Sequence, residues 1–161
     1  MAAIVLRFTG KELIPVMEIP LSATINELKE RIEALLDVHV TRQTLSFNRE
    51  TLRDDKTVGY YFSNLLPHAT VALAVQTLQG EPDFNISVKF EEDMIDVRVK
   101  ETTLVYDLKG MIERRSGILS KHMKLLRLGT EMVDHFPISS YYVCGEGEGS
   151  QVELTLNINP R

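Results

Sequence analysis

Histidine and cysteine are few in this 161-residue chain, and their spacing decides what they could do. The histidines are His39, His68, His122 and His135, and the one cysteine is Cys144. A helical metal site needs two histidines one turn apart, and a structural zinc site needs several thiolates. Neither pattern is present, so no metal site is expected. A cysteine nucleophile needs a base held beside it. Cys144 instead opens the stretch Gly145-Glu146-Gly147-Glu148-Gly149-Ser150, and it reads as an incidental thiol beside a flexible connection. That glycine-rich stretch lacks the Lys-Ser/Thr ending of a phosphate cradle, and its glutamates repel phosphate. No serine sits on a nucleophile elbow. These readings predict a protein with no catalytic residues and no cofactor, one that is not an enzyme.

The elements that carry these residues are of ordinary globular composition, 43% hydrophobic and 25% charged. The formal net charge of -5 argues against nucleic acid as a partner, which needs a Lys/Arg-rich face. No stretch approaches the roughly 20 apolar residues that span a bilayer. The start, Met1 to Phe8, alternates like a strand and has no basic leader, so it is not read as a signal peptide. A single cysteine makes no internal disulfide and requires no oxidising compartment. A soluble intracellular protein, in the cytoplasm and/or nucleus, is the expectation.

Sliding the chain against itself by 80 residues reveals a repeat. Ile4, Leu6 and Phe8 fall on Phe84, Ile86 and Val88. Ile25, Leu28, Lys29 and Ile32 fall on Val105, Leu108, Lys109 and Ile112. Leu45, Asp54, Val58 and Tyr61 fall on Leu125, Asp134, Ile138 and Tyr141. One added residue later, Val71, Leu73 and Val75 match Val152, Leu154 and Leu156. Few of these are identities. The shared property is one apolar pattern whose period changes in the same order. Two domains, 1–76 and 83–161, are predicted, with a linker at 77–82 marked by Gly80 and Pro82.

Within the first copy, Ile4 to Phe8 and Pro15 to Ile19 alternate with period 2 about a turn at Thr9-Gly10-Lys11, which predicts a hairpin. Thr24 and Glu27 have the spacing of a capping box. Ile25, Leu28, Ile32, Leu35 and Leu36 follow as one apolar stripe. Leu45 to Phe47 and Val71 to Val75 read as two further strands. The predicted class is α+β, with order ββαββ and one helix on a mixed sheet. In the second copy the hairpin turn is Glu91-Glu92-Asp93. Leu104 stands in place of Thr24 there, so Thr102 or Thr103 is the expected cap, and Gly117 the expected stop. In the run Tyr60-Tyr61-Phe62, Tyr61 is expected in the core.

Each copy resembles a ubiquitin-like β-grasp domain. The residues that carry this are Thr9-Gly10-Lys11, TINELK at Thr24 to Lys29, QTLSF at Gln43 to Phe47, and LRDDKTV at Leu52 to Val58 with Tyr61 behind it. The second copy keeps VYDLKGMI at Val105 to Ile112, KLLRLG at Lys124 to Gly129, and MVD at Met132 to Asp134 before Tyr141. The resemblance implies that Lys29 and Lys109 lie on the inner side of their helices, and that Tyr61 and Tyr141 pin the loop before the last strand.

The resemblance also implies a function in binding proteins, through an apolar patch on the outer sheet face. At the patch positions the first copy has Ser46, Ala72 and Ala74, and the second Leu126, Glu153 and Thr155. The large apolar groups are gone from the first copy. The expected protein-binding residues are therefore Lys124, Leu126, Arg127 and Thr155. The expected partners are other proteins, among them ubiquitin-pathway or proteasome components, with no membrane. The usual chain-building lysine is replaced by Glu50. No Gly-Gly follows either copy, and the sequence ends Asn157-Ile158-Asn159-Pro160-Arg161, so a non-conjugating type is expected. The alternative is a modifier conjugated to targets after processing of a longer C-terminus.

Overall fold

The computed structural model describes residues 2–144 and 152–158, the latter by backbone course alone. The chain divides into two compact units, Met1–Gln76 and Thr77–Arg161.

In the first unit, β1 (Ala3–Thr9) buries every second residue, so Ile4, Leu6 and Phe8 share the inner face. It pairs antiparallel with β2 (Val16–Pro20), Ile4 opposite Ile19 and Leu6 opposite Met17. Pro15 lies just before β2, and its carbonyl accepts from the Phe8 amide at 2.9 Å. Its missing N–H therefore costs no ladder bond. Gly10 has φ 126°, and a Cβ there would lie 2.7 Å from the Leu73 carbonyl oxygen. This turn accepts only glycine.

Helix α1 (Ile25–Leu36) begins with the expected capping box. The Glu27 amide donates to Thr24 Oγ1 at 3.1 Å, and the Thr24 amide donates to the Glu27 carboxylate at 3.3 Å. Ile25, Leu28, Ile32 and Leu36 form the buried stripe, whereas Leu35, expected within it, turns outward at 38% exposure. The helix ends at Asp37, which takes the left-handed conformation (φ 60°) and donates to the Glu33 carbonyl at 2.8 Å.

Strand β3 (Gln43–Phe47) then turns through Asn48 and Arg49, both at positive φ, into the two-residue β4 (Glu50–Thr51). A short helix α2 (Val58–Phe62) and strand β5 (His68–Val75) complete the unit. The sheet order is β2-β1-β5-β3-β4, with β1 and β5 parallel and the other pairs antiparallel. The unit is α+β with a mixed sheet, and it adds β4 and α2 to the expected ββαββ order. A two-residue strand and a five-residue helix are too short to show a period, which is why the sequence did not reveal them.

The second unit holds β6 (Phe84–Phe90), β7 (Asp93–Val99), α3 (Val105–Ser116), β8 (Met123–Arg127), β9 (Thr130–Glu131) and β10 (Val152–Ile158). Its sheet order is β7-β6-β10-β8-β9, with β6 and β10 parallel. Phe84, Ile86, Val88, Val97 and Val99 are buried, as are Val105, Leu108 and Ile112 on α3. Burying each such side chain contributes roughly 1.5–3 kcal/mol relative to leaving it in water.

The cap of α3 differs from the expectation. Leu104 is the N-cap and makes no side-chain bond, while Thr103 Oγ1 accepts from the Lys100 amide at 2.9 Å and so closes the preceding turn. The first amides of the helix are satisfied from elsewhere: Val105 donates to the Phe136 carbonyl and Tyr106 to the Asp134 carbonyl, each at 3.0 Å. Gly117, at φ 80°, stops the helix. Ahead of β6, the Leu78 amide donates to the Glu101 carboxylate at 3.3 Å, and Lys100 Nζ pairs with Asp83 at 2.8 Å. The stretch 145–150 and the terminal residues 159–161, on which the flexible-connection and conjugation expectations turn, lie outside the described residues.

Candidate protein-binding faces

One loop-to-helix tie positions each sheet. Lys29 Nζ is 2.8 Å from Asp54 Oδ1, and Lys109 Nζ is 2.6 Å from Asp134 Oδ1. Both lysines are buried on the inner side of their helices. The Tyr61 hydroxyl accepts from the Arg53 amide at 2.9 Å, and the Tyr141 hydroxyl from the Val133 amide at 2.8 Å. Each tyrosine thus pins the loop that carries the aspartate. Tyr61, expected in the core, is only half-buried. Phe62 is the residue of that run that enters the core, and Tyr60 is 65% exposed, with Lys56 stacked on its ring.

With its loops tied, the outer face of the second sheet is set by register. On β8, Met123, Leu125 and Arg127 turn inward, and Lys124 and Leu126 lie half-buried on the outer side. Arg127 therefore does not join Lys124 and Leu126. It is 4% exposed, and its guanidinium donates to the Tyr141 carbonyl at 3.3 Å and the Tyr142 carbonyl at 3.4 Å. A strand alternates sides at every residue, so Leu126 and Arg127 cannot share a face.

Thr155 sits in register opposite Leu126 on one side and Lys89 on the other. Lys89 is opposite Met94, and Leu126 is opposite Glu131. One row therefore crosses the sheet: Met94, Lys89, Thr155, Leu126, Glu131. Met94 is 50% exposed, and Lys89 and Glu131 are exposed. Sequence reasoning missed Met94, Lys89 and Glu131. The Glu91-Glu92 turn implies the Lys89–Met94 pairing, but only the strand order carries that pair across to Leu126. Two apolar anchors flanked by Lys89 and Lys124 suit a protein surface with apolar side chains beside carboxylates.

In the first unit the places of Leu126 and Lys124 are small and polar. Ser46 is opposite Ala72, and Thr44 is opposite Ala74. A different feature lies beside it: Val5, Arg7, Val16, His68 and Thr70 line a shallow depression of about 380 Å³. The strand was expected from Val71 and begins at His68. The alternation of His68, Ala69 and Thr70 is masked by small and polar side chains on both faces.

His39 caps a 3₁₀ turn, its Nδ1 accepting from the Thr41 amide at 3.2 Å. Cys144 is buried. Among the described residues no group of three or more His, Cys, Asp and Glu is arranged to hold a metal. Among them, too, no helix is long and apolar enough to cross a membrane. Glu113 is held below the ordinary carboxylate range chiefly by the Ser120 amide and also by its hydroxyl, both at 2.8 Å. Residues 4–78 match the model of the ubiquitin family, so with its mixed sheet, packed helix, buried Lys29 and pinning Tyr61 the first unit is a ubiquitin-like domain.

Proposed function

We propose that this chain is a non-catalytic adaptor of two ubiquitin-like domains in tandem, 1–76 and 83–161 joined at 77–82, which binds components of the ubiquitin–proteasome pathway in the cytoplasm and/or nucleus. The observation that carries the reading is the second sheet. It has the strand order of the first, and the Lys109–Asp134 and Tyr141–Val133 ties recur at the places of Lys29–Asp54 and Tyr61–Arg53. Its outer row runs Met94, Lys89, Thr155, Leu126, with Lys124 two residues before Leu126 on the same face of β8, whereas the first sheet has Ser46 at the place of Leu126, Thr44 at that of Lys124 and Ile14 at that of Met94. The two faces are read as different binding surfaces, with the working one on the second unit.

The test is affinity purification with the intact chain and with Leu126→Asp, probed with proteasome receptors and ubiquitin-binding domains. Leu126 is half-buried on the outer face, so the fold should survive, as circular dichroism will check. Loss of a captured receptor in the variant supports the reading. Capture that ignores the substitution moves the site elsewhere, and no capture of either class removes the pathway assignment. The competing reading is a modifier conjugated to targets. Mass spectrometry for branched peptides linking this chain's C-terminus to lysine in cell extracts separates the two.

A further inference from the structure

The outer face of α3 departs from its counterpart in the first unit. At the repeat offset, α1 carries Asn26, Glu30 and Ala34 where α3 carries Tyr106, Gly110 and Arg114. Glycine in a helix interior costs about 1 kcal/mol relative to alanine. Among the described residues nothing requires it at Gly110, because a Cβ built there meets no atom of theirs within 4 Å. The position is therefore open to a neighbour from outside the unit. The surroundings agree. Tyr106, one turn earlier, is 64% exposed, and Arg114, one turn later, is exposed. With Thr103, Asp107, Met111 and Glu113 they line an open groove of about 520 Å³ over Gly110.

We propose that this groove receives α3 of a second copy of the chain, packed antiparallel about a two-fold axis at Gly110. A two-fold contact must be self-complementary, with each residue before the axis facing its equivalent after it. Tyr106 and Arg114 stand four residues either side of Gly110 on one i, i+4 row, roughly 6 Å from it along the helix. The guanidinium of each copy then comes onto the tyrosine ring of the other and beside its Asp107. A cation–π contact and an ion pair each form twice. The i±4 rows of two helices interdigitate in the commonest packing class, and a glycine at the crossing lets the axes approach more closely than the usual 8–10 Å. Glu113 would face Asp107 of the other copy, and this like-charge pair works against the contact, one reason it is expected to be weak. This surface is on the helix, so it is independent of the sheet face proposed above.

A single helix pair is a small interface and associates weakly. Sedimentation velocity on the full chain, up to roughly 1 mM, covers the range such contacts occupy. The expected result is a concentration-dependent shift from monomer to dimer. Gly110→Leu should abolish the shift while holding or raising the melting temperature, since leucine favours helix and the site is open in the monomer. Arg114→Glu should weaken association at least tenfold, and adding Asp107→Arg to it should restore part of the loss. A chain that remains monomeric at every concentration overturns the proposal and leaves the groove to a helix of another protein. A dimer indifferent to both Gly110→Leu and Arg114→Glu overturns it too, because the contact then lies elsewhere.

Discussion

The carboxylate and the carbonyl of Asp134 hold two different parts of one helix. Its Oδ1 lies 2.6 Å from Lys109 Nζ, and its carbonyl oxygen accepts from the Tyr106 amide at 3.0 Å. The first unit repeats the arrangement with Asp54, 2.8 Å from Lys29 Nζ and 3.2 Å from the Asn26 amide. A side chain is thus spent on fixing where a loop meets a helix, and the outer sheet face follows from that placement. The lysines are nearly buried and the aspartates half in water, so the pair is worth more than a surface bridge and less than a buried one.

Removing one partner leaves a charge uncompensated. Asp134→Ala should destabilise the second unit by about 1–3 kcal/mol. Lys109→Met, which keeps the apolar stem and removes the charge, should cost less. Hydrogen exchange of the α3 amides measures both, and an equal loss in the two variants would mean that the lost attraction alone, not an uncompensated charge, sets the cost.

Tyr142 is a second case where the repeat provides its own control. Its ring is fully buried at the place of Phe62, and its hydroxyl has no hydrogen-bond partner among the described residues. Burial, and to a lesser degree the nearby Cys144, push its pKa up from 10.0 to about 12. The folded state therefore holds this proton more tightly than the unfolded one. The stability linked to it is fully present below pH 10 and is lost as the pH rises towards about 12. Tyr142→Phe should remove this alkaline loss. At neutral pH it should stabilise the unit by about 1 kcal/mol, because a buried hydroxyl without a partner is removed. Melting curves of the two proteins at pH 7 and in alkali check both statements.

The unequal caps of α1 and α3 predict unequal responses. Thr24→Ala should cost about 1 kcal/mol, since it removes the acceptor for the Glu27 amide. Leu104→Thr should stabilise α3 by several tenths to about 1 kcal/mol by supplying the missing acceptor. Thr103→Ala should act through the preceding turn, with no change in protection of the first α3 amides. Amide exchange at helix residues distinguishes these outcomes.

The tyrosine pins differ in burial. Tyr141 is 2% exposed and Tyr61 half-buried, so a phenylalanine at position 141 should cost more than one at position 61. About 1–2 kcal/mol is expected for Tyr141→Phe, because the Val133 amide loses its acceptor in a partly buried setting. Urea denaturation of each variant provides the comparison.

What the sequence by itself determined is local. Period-2 runs placed Ile4, Leu6 and Phe8 on one face, and the Thr24–Glu27 spacing placed the start of α1, because these signals depend on neighbours a few residues away. The 80-residue offset brought Lys29 onto Lys109 and Asp54 onto Asp134, since it compares like positions without needing a third dimension, but that each lysine pairs with its aspartate is a tertiary fact. What only the tertiary structure decided is which distant residues meet. Arg127 looked like a flank of Leu126 in the chain, yet strand alternation sends it under the sheet to the Tyr141 carbonyl. Met94 and Leu126 are over 30 residues apart and lie in one row only because β10 is inserted between β6 and β8. Strand order across a sheet is set by pairing between segments far apart in the chain, so no local period encodes it.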